Sequence, residues 1–415
     1  MLAETSLARP LRNVAILLAG SAVRLGLGFI ASVLTYRALP PADAGRLTVV
    51  LSLVGVFSLL AEFGFRDAAV NYIAGAASVA EAQRVAHSFL AAKMLFGTLA
   101  AVLLAGLSRW LLDTWYPGTV QPGLLRLAAL SLLAGGLLSY VQTLLEARQT
   151  FGALSLLSMA QAGVRAAAIA LFYFTGRLSL GPLIALEALV PLALFVYGAR
   201  FLEPGFVSLR RPVFAHFGKL WRFSRWIALA AGASTIFLRL DVLLLGAFRP
   251  AAEVGVYGVA LALLAKFEVV QNVVLTTIFP EACRYRAKPE LRAYVWRTLR
   301  LTGLASLGFL CLLPFAGRLI VLLYGSLYSP AALPFALLLI GLVIGINTQP
   351  AAFVLYPLNR PQWIAAGDLL QLAFCATVGL RLIPPYGVLG AALTVLATRL
   401  FGGLITLALV TWQLR

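Results

Sequence analysis

Charge is scarce in this 415-residue chain, and what there is leans one way: charged residues make up 12%, with only 15 Asp and Glu against 33 Lys and Arg. No polar stretch is long enough to fold as a separate soluble domain, because segments without a strongly apolar run do not exceed about 20 residues. Cysteine and histidine are rarer still. Cys283, Cys311 and Cys375 form no CxxC pair, and His87 and His216 lie far apart, so there is no disulfide framework, zinc site or redox motif. The sequence also lacks GxxxxGK[ST], HExxH and GxSxG. Those absences remove the signatures of nucleotide hydrolysis and of the common metal and serine hydrolases, and no catalytic residues are expected. A net charge of +18 invites a nucleic-acid reading. Most of the Lys and Arg sit in short connections between apolar runs, where the positive-inside bias accounts for them, so no nucleic-acid partner is expected.

What is abundant is apolar surface: 61% hydrophobic residues and a mean hydropathy of +0.95, far from the balance of a globular domain. Runs of about 20 apolar residues, enough to cross a bilayer as a helix, fall near 13–36, 47–72, 85–108, 124–146, 151–174 and 180–202. A second set falls near 223–248, 254–280, 301–323, 331–357, 361–383 and 386–412. The expected fold is an all-α polytopic membrane protein of about 12 transmembrane helices. Arg9 and Arg12 precede the first run as in a signal peptide, but that run contains Arg24 and is too long for an h-region, so it reads as a spanning helix. Counting Lys and Arg between runs puts nineteen on the side of both termini and eight opposite, which makes both termini cytoplasmic.

The two sets of six repeat one another. Pro41-Ala-Asp-Ala-Gly45 matches Ala251-Ala-Glu-Val-Gly255 at an offset of 210, Pro122 matches Pro330, Arg148 matches Arg360 and Gly181 matches Gly387. An even number of helices per copy gives both halves the same orientation, hence a parallel repeat. The expected organisation is an N-terminal six-helix lobe, 1–202, a basic cytoplasmic linker, 203–222, and a C-terminal six-helix lobe, 223–415, around a central cavity.

Six cations lie inside spans: Arg24, Arg66, Arg165, Arg239, Lys266 and Arg399. Counted in at ~1.5 Å per residue, all but Arg66 fall near the midplane, where the nearest acids are Asp241 and Glu268. Charges at that depth are costly and usually mark a site or pathway. Five cations against two acids favour an anionic ligand. Arg24, Arg165, Arg239, Lys266 and Arg399 are therefore the candidate substrate-binding residues. Asp241 lies two residues from Arg239, as Glu268 does from Lys266, about 200° apart on a helix, so pairing of these charges must be between helices. Glu62 and Arg66, at i and i+4, share a face and read as an ion pair that could also gate. Together with Asp241 and Glu268 they are the gating or coupling candidates. Glu187 and Asp368 lie near membrane boundaries, where snorkelling or pairing at the headgroups accounts for them. Gly341 and Gly345 suit close helix packing, with Pro334 and Pro350 in the same run.

The segment AGSAVRLGLGFIASVLTYRALPPADAGRLTVVLSLVGVFSLLAEFGFRDAAVNYIA, the stretch FLRLDVLLLGAFRPAAEVGVYGVA with Arg239, Asp241, Gly255 and Tyr257, and SYVQTLLEARQTFGALSLLSMAQAGVRAA with Arg148 and Arg165 resemble the polysaccharide and O-antigen lipid flippases. Those belong to the multidrug, oligosaccharidyl-lipid and polysaccharide (MOP) exporter superfamily. The resemblance implies two six-helix lobes rocking around a cationic cavity. It also implies an undecaprenyl-pyrophosphate-linked oligosaccharide moved from the cytoplasmic to the periplasmic leaflet of a bacterial inner membrane, for cell-surface polysaccharide synthesis. Partners would be membrane lipids, with a polysaccharide polymerase and glycosyltransferases as candidates. No cofactor is called for, and a proton or sodium gradient is the candidate driving force. A drug or cation antiporter of the same superfamily, and a membrane polymerase or glycosyltransferase, are the alternatives. The former should place acids in the cavity, and the latter usually needs a large periplasmic loop or a catalytic carboxylate.

Overall fold

The protein is represented by a computed structural model that describes residues 4–203, 205–207, 216–282, 284–285, 287–358 and 361–414. Of the 203–222 segment expected as a linker, residues 204 and 208–215 lie outside the described residues, and 217–222 are not a linker but the first turns of a helix that runs on into the next span. Among them the secondary structure is helical: α1 (Glu4–Ala38), α2 (Pro41–Glu62), α3 (Phe65–Ala74), α4 (Val79–Trp115), α5 (Pro122–Ala147), α6 (Phe151–Phe174) and α7 (Leu180–Gly198), then α8 (Phe217–Phe248), α9 (Ala251–Ala282), α10 (Lys288–Leu310), α11 (Ala316–Tyr324), α12 (Ala332–Ala352) and α13 (Pro361–Leu414). Ten stretches of the described residues are long and apolar enough to cross a membrane. The twelve expected spans map onto these helices, with α2 and α3 forming one, α10 and α11 another, and α13 two that meet at a kink.

The sequence explains the breaks. Proline opens α2, α5 and α13, where a missing N–H costs nothing. Ser78 caps α4 by accepting from the Glu81 amide at 3.2 Å, and the Glu81 carboxylate accepts from the Ala77 amide at 3.1 Å. The expected single helix over 47–72 is broken: Phe63 and Gly64 both adopt positive φ, 40° and 66°, which ends α2 and starts α3. The kink in α13 is at Gly387, φ 55°, after Pro384 and Pro385. Several helices begin earlier than expected, among them α1 at Glu4, α4 at Val79, α8 at Phe217 and α10 at Lys288, ahead of the apolar runs read from the sequence.

The chain divides into two compact units, Met1–Leu39 with Val50–Thr235, and Pro40–Val49 with Ile236–Arg415. In the first, Phe65, Phe89, Tyr140, Leu144 and Phe206 lie in a buried core of α3, α4 and α5. In the second, Tyr294, Ala351 and Val354 centre a smaller cluster of α10 and α12 with the end of α13. The outward surface is apolar too: Phe174 is 80% exposed and Leu304 71%. Such exposure is unfavourable in water and ordinary against lipid. Within the second unit the first turns of α2 and α9 meet so closely that a Cβ on Gly45 would overlap the Ala251 carbonyl, and one on Gly255 the Pro41 carbonyl. Only glycine permits this approach.

Candidate functional site

In the first unit the polar residues of four helices converge on a cleft of about 300 Å³. Helix α1 contributes Ser21 and Arg24, α3 contributes Arg66, α5 contributes Ser139, Gln142 and Glu146, and α6 contributes Ser155 and Ser158. The spacings place each set on one helical face. Gly20 lets α6 come close, since a Cβ there would overlap the Ser155 hydroxyl. Arg66 donates to Glu146 at 2.6 Å and lies 3.7 Å from Asp67. Arg24 is exposed and, among the described residues, makes no ion pair. With Glu146 answered by Arg66, Arg24 gives the cleft a net positive charge.

The expected Glu62–Arg66 pair does not form. The positive-φ break at Phe63 and Gly64 removes the i,i+4 geometry, and each residue finds another partner. Glu62 accepts from Lys93, whose ammonium is fully buried and also reaches the Ser139 hydroxyl at 3.4 Å. Lys93, within the apolar run 85–108, is thus a further interior cation. Arg165 was expected to be uncompensated; it donates to Glu187 on α7 at 2.5 Å. Of the two accounts given for Glu187, snorkelling or pairing, the structure shows pairing, between α6 and α7.

The remaining candidates belong to the second unit. Asp241 is buried; its carboxylate accepts from the Tyr257 hydroxyl at 2.6 Å and from the Val242 amide at 2.8 Å. Arg239 is exposed on α8, in keeping with the opposed directions of residues two apart. Lys266 and Glu268 are half-buried on α9. Arg399 runs along α12 beside Gly341 and Gly345, where the charges of Glu268 and Asp241 both act on its guanidinium. The small-residue pair therefore makes room for an arginine. Gln271 donates to Gln349 at 2.6 Å, and Asn347 bonds Thr302 and Ser306. The structure thus gathers Arg24 with Arg66, and Arg399 with Asp241 and Glu268. The residues that sequence reasoning missed are Lys93, Glu146, Ser139 and Gln142. A signal existed for the α5 set, since 139, 142 and 146 mark a polar stripe on an otherwise apolar helix.

Residues 11–285, well over half of the chain, match the family model described as "Polysaccharide biosynthesis protein". The chain belongs to the polysaccharide biosynthesis protein family. One relative, the probable low-salt glycan biosynthesis flippase Agl15 of Haloferax volcanii, is 22% identical over 196 residues, 45% of this chain and 40% of that protein. The match thus spans less than half of that relative's length. Among solved structures, the lipid II flippase MurJ in its inward closed conformation superposes with a TM-score of 0.76 at 14% identity, covering 96% of this chain and 87% of MurJ. An inward-facing multidrug resistance MATE transporter of the MOP superfamily gives 0.72 at 10% identity, covering 94% of each chain. At such identities the likeness is one of fold: this family member has the fold of MOP superfamily transporters.

Proposed function

We propose that the protein is a flippase that carries a lipid-linked oligosaccharide across a membrane for polysaccharide synthesis. The observation that carries the reading is Arg24, a cation without an ion pair among the described residues, in a hydroxyl- and amide-lined cleft of the first unit. A low-dielectric setting makes a fixed charge of that kind a binding site for an anion brought from water. The diphosphate of an undecaprenyl-pyrophosphate-linked oligosaccharide supplies such an anion, and Ser21, Gln142, Ser155 and Ser158 supply hydroxyl and amide partners for sugar. Movement from the cytoplasmic to the periplasmic leaflet of a bacterial inner membrane by alternating access, with both termini cytoplasmic, completes the reading. Enzymes that build the lipid-linked unit and polymerise it are the candidate partners, and a proton or sodium gradient is the candidate energy source. Membership of the polysaccharide biosynthesis family and the flippase name of Agl15 support this assignment. The MATE-like fold keeps the antiporter reading in view, but such a site should carry free acids, and Glu146 in the cleft is answered by Arg66.

The test is extraction of polyprenyl-linked oligosaccharides from cells with and without the gene, resolved by leaflet through accessibility to a periplasmic enzyme. A complete unit accumulating on the cytoplasmic side is expected without the gene and with Arg24→Ala, and Arg24→Lys should restore part of the transport because charge persists while bidentate geometry is lost. A full unit reaching the periplasm unpolymerised would assign the protein to a later step. Full transport by Arg24→Ala would remove the cleft from the mechanism.

A further inference from the structure

A second concavity of the first unit lies between the end of α2 and the start of α8 and has a different chemistry. It encloses about 510 Å³ and is lined by Val56, Phe57, Leu60, Phe63 and Ala228, with Arg225 as the charged lining residue. That volume lies within the ~300–1,000 Å³ range of small-ligand pockets. It has none of the hydroxyls and amides of the Arg24 cleft, so nothing in it would recognise a sugar.

Its placement is specific. Phe63 is one of two described residues other than glycine with positive φ, 40°, a conformation costly for a bulky side chain. The same residue stacks on Trp221 of α8 at 4.6 Å with the rings 10° apart, and Trp221 lies against Phe96 and Phe217. The strained turn and the aromatic stack thus fix the groove wall. Lys219 and Arg222, exposed on the same end of α8, extend the positive charge beyond Arg225. Helix α2 ends here after 22 residues, ~33 Å and by itself enough to cross the apolar layer of a bilayer, and α8 begins beside it, which puts the cations at the headgroup level and the apolar wall deeper. Basic pockets between transmembrane helices at that level hold anionic headgroups, and Trp favours the same layer.

We propose that this groove is a binding site for an anionic glycerophospholipid, its phosphate at Arg225 and one acyl chain along Val56, Leu60 and Ala228. The site is separate from the cleft that takes the transported molecule, and the lipid is a bound partner of the fold and not cargo.

The full-length protein in nanodiscs of phosphatidylcholine with phosphatidylglycerol is extracted and analysed by native mass spectrometry for retained lipid. Wild type should retain phosphatidylglycerol over phosphatidylcholine. Arg225→Gln should lower that preference about fivefold, the worth of one cation at a membrane surface. Leu60→Trp, which fills the groove and keeps every charge, should lower total retention of both lipids. Equal retention of the two lipids by wild type would make the groove a mere apolar contact and overturn the proposal, as would an unchanged preference in Arg225→Gln. Displacement of phosphatidylglycerol by an equimolar polyprenyl phosphate would also overturn it, by assigning the groove to cargo. Because the readout is retained lipid, it is independent of whether the protein transports oligosaccharides.

Discussion

The burial of Lys93 makes a quantitative demand on Glu62. The ammonium has no exposed surface, sits 5.5 Å from the Phe89 ring centroid, and has as partners the Glu62 carboxylate and, at 3.4 Å, the Ser139 hydroxyl. Glu62 is different, with its side chain 41% exposed. Glu62→Gln leaves a charged ammonium in an apolar interior with only neutral acceptors. Removing one member of a buried pair costs ~3–5 kcal/mol, and because water reaches the Glu62 end the lower part of that range is expected. Lys93→Met keeps the volume and strands only a carboxylate that water can solvate, so its cost should be that of a lost hydrogen bond, ~1 kcal/mol. The double variant removes both charges and should be about as stable as Lys93→Met alone, so Glu62→Gln is nearly silent in that background. Denaturant unfolding of the four proteins in one detergent measures the cycle. Equal costs for the two single variants, or a double variant less stable than Glu62→Gln, would refute the view that an uncompensated ammonium is what matters.

Three further outcomes follow from close contacts. Gly45→Ala and Gly255→Ala should each part the first turns of α2 and α9, seen as faster maleimide labelling of a Val254→Cys reporter, a position fully buried in the native chain, in an otherwise cysteine-free background. The double variant should label little faster than either single one, because both relieve the same contact. Tyr257→Phe removes the donor 2.6 Å from buried Asp241 and should cost ~1–3 kcal/mol in unfolding free energy, the penalty of an unsatisfied buried acceptor. Gly387→Ala forces a Cβ onto a residue with φ 55° and into the Glu253 carboxylate, which is paired with Arg249 at 2.7 Å. Adding Glu253→Ala should relieve only the clash with the carboxylate, leaving the ~1–3 kcal/mol cost of a φ 55°, ψ −127° backbone that suits glycine and not alanine.

Lengths, apolar runs and turn residues made the helices legible, since crossing a bilayer leaves the backbone few options. Candidate residues were legible where a charge stood alone in an apolar run, as with Arg24, which lines the cleft, and Asp241, which is buried in the second unit. Pairs were not legible where the partner lay far along the chain. Lys93 and Glu62 are 31 residues apart and Arg66 and Glu146 are 80 apart, so no local spacing could report either pair. The Glu62–Arg66 expectation failed for a local reason: Gly64 was visible, but the positive φ of Phe63 beside it is a tertiary choice, held by stacking on Trp221. The partner of Arg165 was not legible either, because Glu187 lies 22 residues on and only the packing of α6 against α7 brings the two together.

The duplication extends to the scaffold and stops at the chemistry. Gly45 and Gly255 stand 210 residues apart, and each meets the backbone four residues before the other, Gly45 against Ala251 and Gly255 against Pro41. Reciprocal contact is what two copies of one element make when they face each other, so the glycines are bound by the geometry of the repeat. At the same offset, however, Glu62 corresponds to Asn272, Arg66 to Thr276, Arg24 to Ser234 and Asp241 to Ala31. None of these charges has a charged counterpart. Two copies of a neutral frame would bury no charge and incur no desolvation cost, whereas each of these charges stands in one copy alone and needs its own partner there. The first unit supplies Glu146 to Arg66 and leaves Arg24 in the cleft, while the second supplies Tyr257 to Asp241. The asymmetry places the unpaired cation of the cleft in the first unit and the buried acid in the second, each answered, where it is answered at all, from within its own unit.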